Sequence, residues 1–151
     1  LESYVLSAID LSNEYQKKMA FNIIRNINKR KIGIVGITFK PGTDDLRYSP
    51  MIDILKWLIQ DNYSVSVFDE NVRTSLLMGA NKEYTHNMGL KLDEILLPSM
   101  EELFNKSEVV VISQIYNELF NLIDKYKDRI IIDFVRISGI NTGENYIGIC
   151  W

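Results

Sequence analysis

Short runs of aliphatic residues alternate along this chain with segments of helical periodicity, and this alternation limits the fold more than any other feature. Each run is continuous, which is typical of a strand that is buried on both faces. Strands that alternate with helices indicate a parallel sheet covered on both sides. We therefore expect an α/β protein with a doubly wound parallel sheet. The predicted strands are 31–37, 63–69, 108–113, 129–134 and a short fifth at 146–150.

The first predicted helix, residues 3–28, is long, and no later segment is an obvious partner for it. Its apolar residues recur at helical spacing, although Asp10, Ser12 and Asn13 interrupt the first half. Two interpretations stay open with equal weight. One is a surface helix packed on the sheet, and the other is a connecting or dimer-forming helix. The sequence starts inside this helix without an initiator Met, so we expect part of a longer protein.

Local start signals mark two of the later helices. Ser49 is suited to the N-cap and Pro50 to the first helical position. Ser99 and Glu102 match a capping box. The other expectations are helices at 72–78 and 116–127 and turns at 79–81 and 87–89.

Composition argues against several classes of function. The 151 residues carry a formal net charge of -3, so we expect no nucleic-acid partner and no membrane partner. No apolar run approaches the length of a membrane span. The single cysteine cannot form an internal disulfide, and no Cys/His cluster has metal-site spacing. We therefore expect no metal and a reducing, cytoplasmic setting.

The segment between the first strand and Ser49 carries the candidate binding residues. It lies at the carboxyl end of the sheet, where α/β proteins hold anionic ligands. Lys40 offers a point charge and Arg47 a planar fork of donors. Asp44 and Asp45 can orient either cation or bond the amides of the loop. On spacing alone, a solvated turn with surface ion pairs is an equally good interpretation.

Glycines in this segment do not form the dinucleotide fingerprint. Phe39 stands where the pattern that begins Gly33-x-x-Gly36 needs a glycine for close approach of the pyrophosphate. The stretch from Gly36 to Ser49 is also longer than the usual tight turn. We expect a nucleotide-sized ligand at this loop, but we do not expect NAD to bind along it in the usual way.

Five further residues are candidate functional groups. Asp69 ends the second strand, where a strand-end cap is favoured over a ribose contact. Asp133 and Arg136 follow the fourth strand, and a place in the same crevice and a surface role remain equal alternatives. Cys150 and His86 have no catalytic partner nearby in sequence, so we assign catalysis to neither.

The segment 36–50, GITFKPGTDDLRYSP, resembles the signature G-L-[SA]-F-K-x-x-T-D-D-x-R-x-S-P. That signature opens the C-terminal domain of the UDP-glucose/GDP-mannose dehydrogenase family. Matches at 67–72, 79–84 and 148–151 resemble the GDP-mannose 6-dehydrogenase branch of that family. The resemblance covers about residues 10–151.

The resemblance implies a Rossmann-like domain and a particular chemistry. Members oxidise the C6 hydroxyl of a nucleotide sugar to a carboxylate in two NAD-dependent steps, through a thiohemiacetal on a cysteine. In that scheme Lys40 matches the lysine that contacts the substrate, and Phe39 lies beside it. Arg47 matches the arginine that reaches across to NAD in the N-terminal domain. Residues 1–30 then correspond to the end of the central connecting and dimerisation helix, and residues 31–151 to the nucleotide-sugar-binding domain.

The sequence also departs from the family pattern. The nucleophile segment Gly-Gly-x-Cys-Leu-Pro-Lys-Asp does not occur, the N-terminal G-x-G-x-x-G is absent, and Cys150 is not that cysteine. We therefore expect an isolated domain of a GDP-mannose-oxidising enzyme, with no catalytic residue and no activity alone. Its expected partners are the nucleotide sugar, the N-terminal domain of the same enzyme, and further copies in a homodimer or higher oligomer. A UDP-sugar dehydrogenase domain, a stand-alone nucleotide-binding module and a structural dimerisation domain remain alternatives.

Overall fold

The computed structural model describes residues 4–77, 87, 89–140 and 143–149. Helices and strands alternate along these residues as the sequence predicts. The helices are α1 (Tyr4–Asn26), α2 (Pro50–Gln60), α3 (Glu70–Leu77), α4 (Leu92–Ile95), α5 (Met100–Lys106) and α6 (Leu119–Lys125). The strands are β1 (Lys31–Val35), β2 (Ser64–Phe68), β3 (Val109–Ile112), β4 (Ile130–Asp133) and β5 (Tyr146–Gly148).

Within the described part of the chain, the five strands form one parallel sheet in the order β2-β1-β3-β4-β5. On β1, Ile34 lies opposite Val67 of β2 and Val111 of β3. The chain builds outward from β1 in one direction and from β3 in the other, so the order reverses between these two strands. Ligands of open parallel sheets bind outside the carboxyl ends of the strands at such a switch point.

Two apolar layers, one on each face of the sheet, form the core. Ile32 and Ile34 of β1 belong to the layer that includes buried residues of α1 and α2, whereas Val35 belongs to the layer of α5 and α6. All four residues of β3 have no exposed surface. Burial on both faces explains why the strands read as continuous apolar runs. The predicted doubly wound α/β fold is confirmed.

Helix α1 has a packed half and an exposed half. Ala20 and Ile24 are buried, and the Phe21 ring meets the Trp57 ring of α2 edge to face, with 5.5 Å between centroids. The first half lies in solvent with large apolar side chains, namely Tyr4, Val5, Ile9, Leu11 and Tyr15. The second half of α1 is therefore the packed surface helix of the first interpretation, and the first half presents an apolar surface of its own.

Several predicted bounds are longer than the elements observed. β1 ends at Val35 because Gly36, at a φ of 85°, turns the chain away. α6 begins at Leu119, three residues later than predicted, and the Tyr116 ring ahead of it packs inward, 5.4 Å from that of Phe68. The turn expected at 79–81 and residue 88 of the turn expected at 87–89 lie outside the described residues, as do His86 and Cys150.

No helix among the described residues combines the length and the apolar character that a membrane span requires.

Candidate functional site

The loop between β1 and α2 is organised around one backbone atom. The carbonyl oxygen of Lys40 accepts hydrogen bonds from the Thr38 hydroxyl at 3.1 Å and the Thr43 hydroxyl at 2.8 Å. The Thr43 amide also donates to it at 3.3 Å. The two limbs of the loop are joined where the Phe39 amide donates to the Asp45 carbonyl at 2.9 Å. These bonds fix the backbone on both sides of Lys40.

The same loop exposes the side chains that the sequence predicts as binding groups. Leu46 is 1% exposed and anchors the loop in the core. Phe39, by contrast, is 54% exposed, and Lys40 is exposed beside it. The Arg47 side chain is 68% exposed, and Tyr48 follows it in the left-handed region at a φ of 60°. An apolar ring and two cationic side chains thus project from one ordered loop at the carboxyl edge of the sheet.

Arg47 lies against Asp45 in a forked arrangement. Its Nε is 2.8 Å from Oδ1 and its Nη2 is 3.0 Å from Oδ2, while its backbone amide donates to Oδ1 at 3.0 Å. The bonds from the Arg47 side chain, and then from its amide, hold the pKa of Asp45 below its ordinary value. Exposed ion pairs contribute less than about 1 kcal/mol to stability. The pair therefore adds little to stability, while its forked geometry orients the guanidinium.

Asp69, at the end of β2, holds the start of the loop. Its carboxylate has no exposed surface and accepts the Ile37 amide at 2.9 Å and the Val72 amide at 3.2 Å. Burial raises the pKa of Asp69, and the amide hydrogen bonds oppose that rise. The strand-end cap predicted for this residue is confirmed, since the carboxylate is enclosed and bonded to the protein backbone.

Gln114, just after β3, holds the next residue of the loop. Its Nε2 lies 2.5 Å from the Thr38 hydroxyl and 3.3 Å from the Thr38 carbonyl oxygen. A carbonyl oxygen only accepts, so the amide nitrogen must face Thr38. On the other side, the Tyr116 hydroxyl donates to Oε1 at 3.3 Å. Burial and the nearby charge of Asp69 raise the pKa of Tyr116, which keeps the phenol protonated as a donor.

The two residues just after β3 fill the floor of the crevice between β1 and β3. The Ser113 hydroxyl donates to the Gly36 carbonyl oxygen at 2.5 Å. A Cβ on Gly36 would lie 2.5 Å from Cγ of Gln114, so the glycine leaves the space that the glutamine occupies. Protein side chains thus occupy the floor of this crevice, and Lys40 is exposed at its rim.

Asp133 and Arg136, which follow β4, differ in exposure. Asp133 has no exposed surface and accepts the amides of Val135 at 2.8 Å and Ile137 at 2.7 Å. The Tyr146 hydroxyl also donates to it at 2.5 Å. Arg136 is exposed. Asp133 therefore caps the end of β4, which favours the structural alternative for this residue.

Thr38, Ser113 and Gln114 are not among the site residues predicted from the sequence. Ser113 and Gln114 are polar residues placed directly after a buried strand, at the edge where ligands bind, and that pattern was an available signal. Within the described ranges, no group of three or more His, Cys, Asp or Glu residues is arranged to hold a metal ion.

The fold and the loop define an α/β domain with a cationic loop at its switch point, and comparison with known proteins gives its family. Residues 33–139 match the model described as UDP-glucose/GDP-mannose dehydrogenase family, UDP binding domain. The chain belongs to this family.

Individual relatives agree with this assignment. The chain is 34% identical over 153 residues to GDP-mannose 6-dehydrogenase of Pseudomonas aeruginosa, in an alignment covering 100% of this chain and 35% of that protein. It is 31% identical over 147 residues to UDP-glucose 6-dehydrogenase of Rickettsia conorii, covering 91% and 32%. A crystal structure of a ternary complex of GDP-mannose dehydrogenase from Pseudomonas aeruginosa matches with a TM-score of 0.88 and 32% identity, covering 99% and 35%. The chain thus spans 35% of the length of the first of these relatives.

Proposed function

We propose that this chain is the substrate-binding domain of an NAD-dependent nucleotide-sugar 6-dehydrogenase that oxidises GDP-mannose to GDP-mannuronate. The observation that carries the proposal is the loop fixed around the Lys40 carbonyl oxygen, which presents Phe39, Lys40 and Arg47 at the carboxyl edge of the sheet. The family match and the 34% identity to a GDP-mannose 6-dehydrogenase support the choice of reaction.

Each of the three side chains has a role that follows from its chemistry. The Lys40 ammonium is a compact charge on a flexible stem, suited to a phosphate or to sugar oxygens. The exposed Phe39 ring offers an apolar surface beside it. Arg47, already oriented by Asp45, presents its guanidinium to NAD held by another domain. Holding both reactants in register lowers the entropic part of the barrier.

The switch point of this domain is not built to hold NAD itself. Phe39 stands where the dinucleotide fingerprint has a glycine, Asp69 is enclosed, and Gln114 fills the crevice floor. NAD, when bound, supplies the acceptor for the hydride that leaves the substrate. We assign its main binding site and the catalytic cysteine to an N-terminal domain of the same enzyme. The 151-residue chain alone should therefore oxidise no substrate.

The exposed half of α1 fits a second part of the proposal. Residues 1–30 would form the end of the central connecting and dimerisation helix, and residues 31–151 the nucleotide-sugar-binding domain. The apolar side chains in the first half of α1, among them Ile9 and Leu11, would then be covered in a homodimer or higher oligomer. We place the whole enzyme in the cytoplasm.

A UDP-sugar is the second candidate substrate. The matched family model is described as a UDP binding domain, and the Rickettsia conorii relative is a UDP-glucose 6-dehydrogenase. The reaction and the loop residues would be the same, and only the base and the sugar would differ.

Thermal unfolding of the 151-residue chain tests this proposal, since a ligand that binds only the folded state must stabilise it. GDP-mannose, UDP-glucose and free mannose would be compared at equal concentrations. At 100 times its Kd, GDP-mannose should raise Tm by about 5–10 °C. A larger shift with UDP-glucose would favour the second candidate, and no shift with either nucleotide sugar would contradict both.

A further inference from the structure

We propose that Gln114 is a positioning residue for ligand binding, which acts through the Thr38 hydroxyl to hold the backbone of Lys40 in its binding conformation. The inference rests on the proposed function, because it takes Lys40 as the residue that contacts the nucleotide sugar.

A chain of three hydrogen bonds carries the inference. The Tyr116 hydroxyl donates to Oε1 of Gln114 at 3.3 Å, Nε2 of Gln114 donates to the Thr38 hydroxyl at 2.5 Å, and that hydroxyl donates to the Lys40 carbonyl oxygen at 3.1 Å. Every donor points toward Lys40. Hydrogen bonds arranged head to tail in this way polarise and strengthen one another.

Burial makes these three hydrogen bonds hard to replace. Gln114 is 4% exposed and Thr38 is 6% exposed, so little water can reach either group if the other is removed. A buried donor or acceptor that loses its partner carries the full cost of its desolvation. The loop would therefore rearrange to satisfy Thr38, and Lys40 would move with it.

The packing position of Gln114 connects the loop to the carboxyl end of β3. Its Cβ and Cγ lie 2.6 Å and 2.5 Å from the position that a Cβ on Gly36 would take, so the side chain packs directly over the glycine. Its backbone amide also donates to Val35 at the end of β1, at 3.3 Å. The loop conformation thus depends on the junction of β1 and β3 as well as on the loop's own residues.

The amide side chain of Gln114 meets both requirements, because its Oε1 accepts from Tyr116 while its Nε2 donates to Thr38. A glutamate of the same size has no donor for the Thr38 carbonyl oxygen, which lies 3.3 Å away. Gln114→Glu therefore reverses the middle bond with little change in volume. In the loop, Thr38→Val removes the hydroxyl at nearly constant volume, and Thr38→Ser keeps it.

The test measures GDP-mannose affinity by calorimetry and amide hydrogen exchange of Phe39 and Thr43 in the 151-residue chain. Gln114→Ala, Gln114→Glu and Thr38→Val should each weaken binding by about 2- to 10-fold. Each should also speed exchange of the two amides, whose acceptors lie on the loop. Thr38→Ser keeps the hydroxyl, so its affinity for GDP-mannose and its amide exchange rates should stay near the wild-type values.

Ser107→Ala is the matched control. Ser107 is buried and donates to the Leu103 carbonyl oxygen at 2.7 Å, at the amino end of β3. This variant also loses one buried hydrogen bond, so its Tm should fall. Its affinity and its loop exchange should stay at the wild-type values.

A double-mutant cycle separates positioning from a general loss of structure. If Gln114 acts through Lys40, the variant Lys40→Ala/Gln114→Ala binds no more weakly than Lys40→Ala alone. Losses that add would overturn the inference, as would Gln114 variants with wild-type affinity beside a weakened Lys40→Ala. If Lys40→Ala itself binds as the wild type does, the proposed function fails first and the inference fails with it.

Discussion

The carboxylate of Asp45 accepts three hydrogen bonds from Arg47, two from the guanidinium and one from the backbone amide two residues along the chain. The guanidinium is thus oriented before any ligand arrives, and the side chain still projects into solvent. A preoriented fork loses less rotamer entropy when it binds, which favours a role in recognition.

Removal of the Arg47 side chain should change the pKa of Asp45 measurably. The pKa of Asp45 lies below its ordinary value of 3.8, first because of the Arg47 side chain and then because of the Arg47 amide. Arg47→Gln should therefore raise this pKa in a carbon-detected NMR titration, but only in part, because the amide bond remains. In the wild type, the stabilisation by the pair is present above pH 3.8 and is lost as pH falls through the lowered pKa.

Lys127→Gln is the control for this titration, since it removes an exposed charge from the turn before β4. It should leave the pKa of Asp45 unchanged. An equal response of Asp45 to both substitutions would show that overall charge, and not the forked pair, lowers the pKa.

Asp69 should give the folded chain a pH dependence of the opposite sign. Burial raises its pKa above 3.8, so between 3.8 and the raised value the folded state binds more protons than the unfolded state. The contribution of Asp69 to the free energy of unfolding must then fall as pH rises through this window. Urea unfolding at a series of pH values, taken as wild type minus Asp69→Asn, should show that fall. A difference that rises across the same window would contradict the burial of the charge.

The two halves of α1 should respond differently to truncation. Ile24 has no exposed surface, so Ile24→Ala should lower the free energy of unfolding by about 2–5 kcal/mol at any protein concentration. Leu11 is 71% exposed, so Leu11→Ala should change the stability of the monomer by less than about 0.5 kcal/mol. Urea unfolding of both variants at two concentrations measures this.

Sedimentation of the Leu11→Ala variant then tests the proposed dimer face. If the exposed half of α1 joins copies of the chain, the substitution should weaken association and leave monomer stability intact. A loss of monomer stability as large as that of Ile24→Ala would show that this half packs on its own domain.

The sequence predicted the strands and the exposed loop because both depend on local patterns. Continuous apolar runs marked the buried strands, and the positions of Lys40 and Arg47 after β1 placed them at the carboxyl edge. The bond between Gln114 and Thr38 joins residues 76 positions apart, and no local pattern predicts which buried polar groups will meet across a sheet. α6 starts three residues later than the sequence predicts, and no local pattern shows that the Tyr116 ring packs on Phe68, which is far away in sequence.

Calorimetric titration of GDP-mannose into the wild type, Lys40→Ala and Lys127→Ala tests the central claim most directly. The wild type and Lys127→Ala should bind with the same affinity, because Lys127 is exposed in the turn before β4. Lys40→Ala should bind about 10- to 100-fold more weakly, as expected for the loss of a charge-assisted hydrogen bond. Equal affinities for all three chains, or no binding to the wild type, would contradict the account.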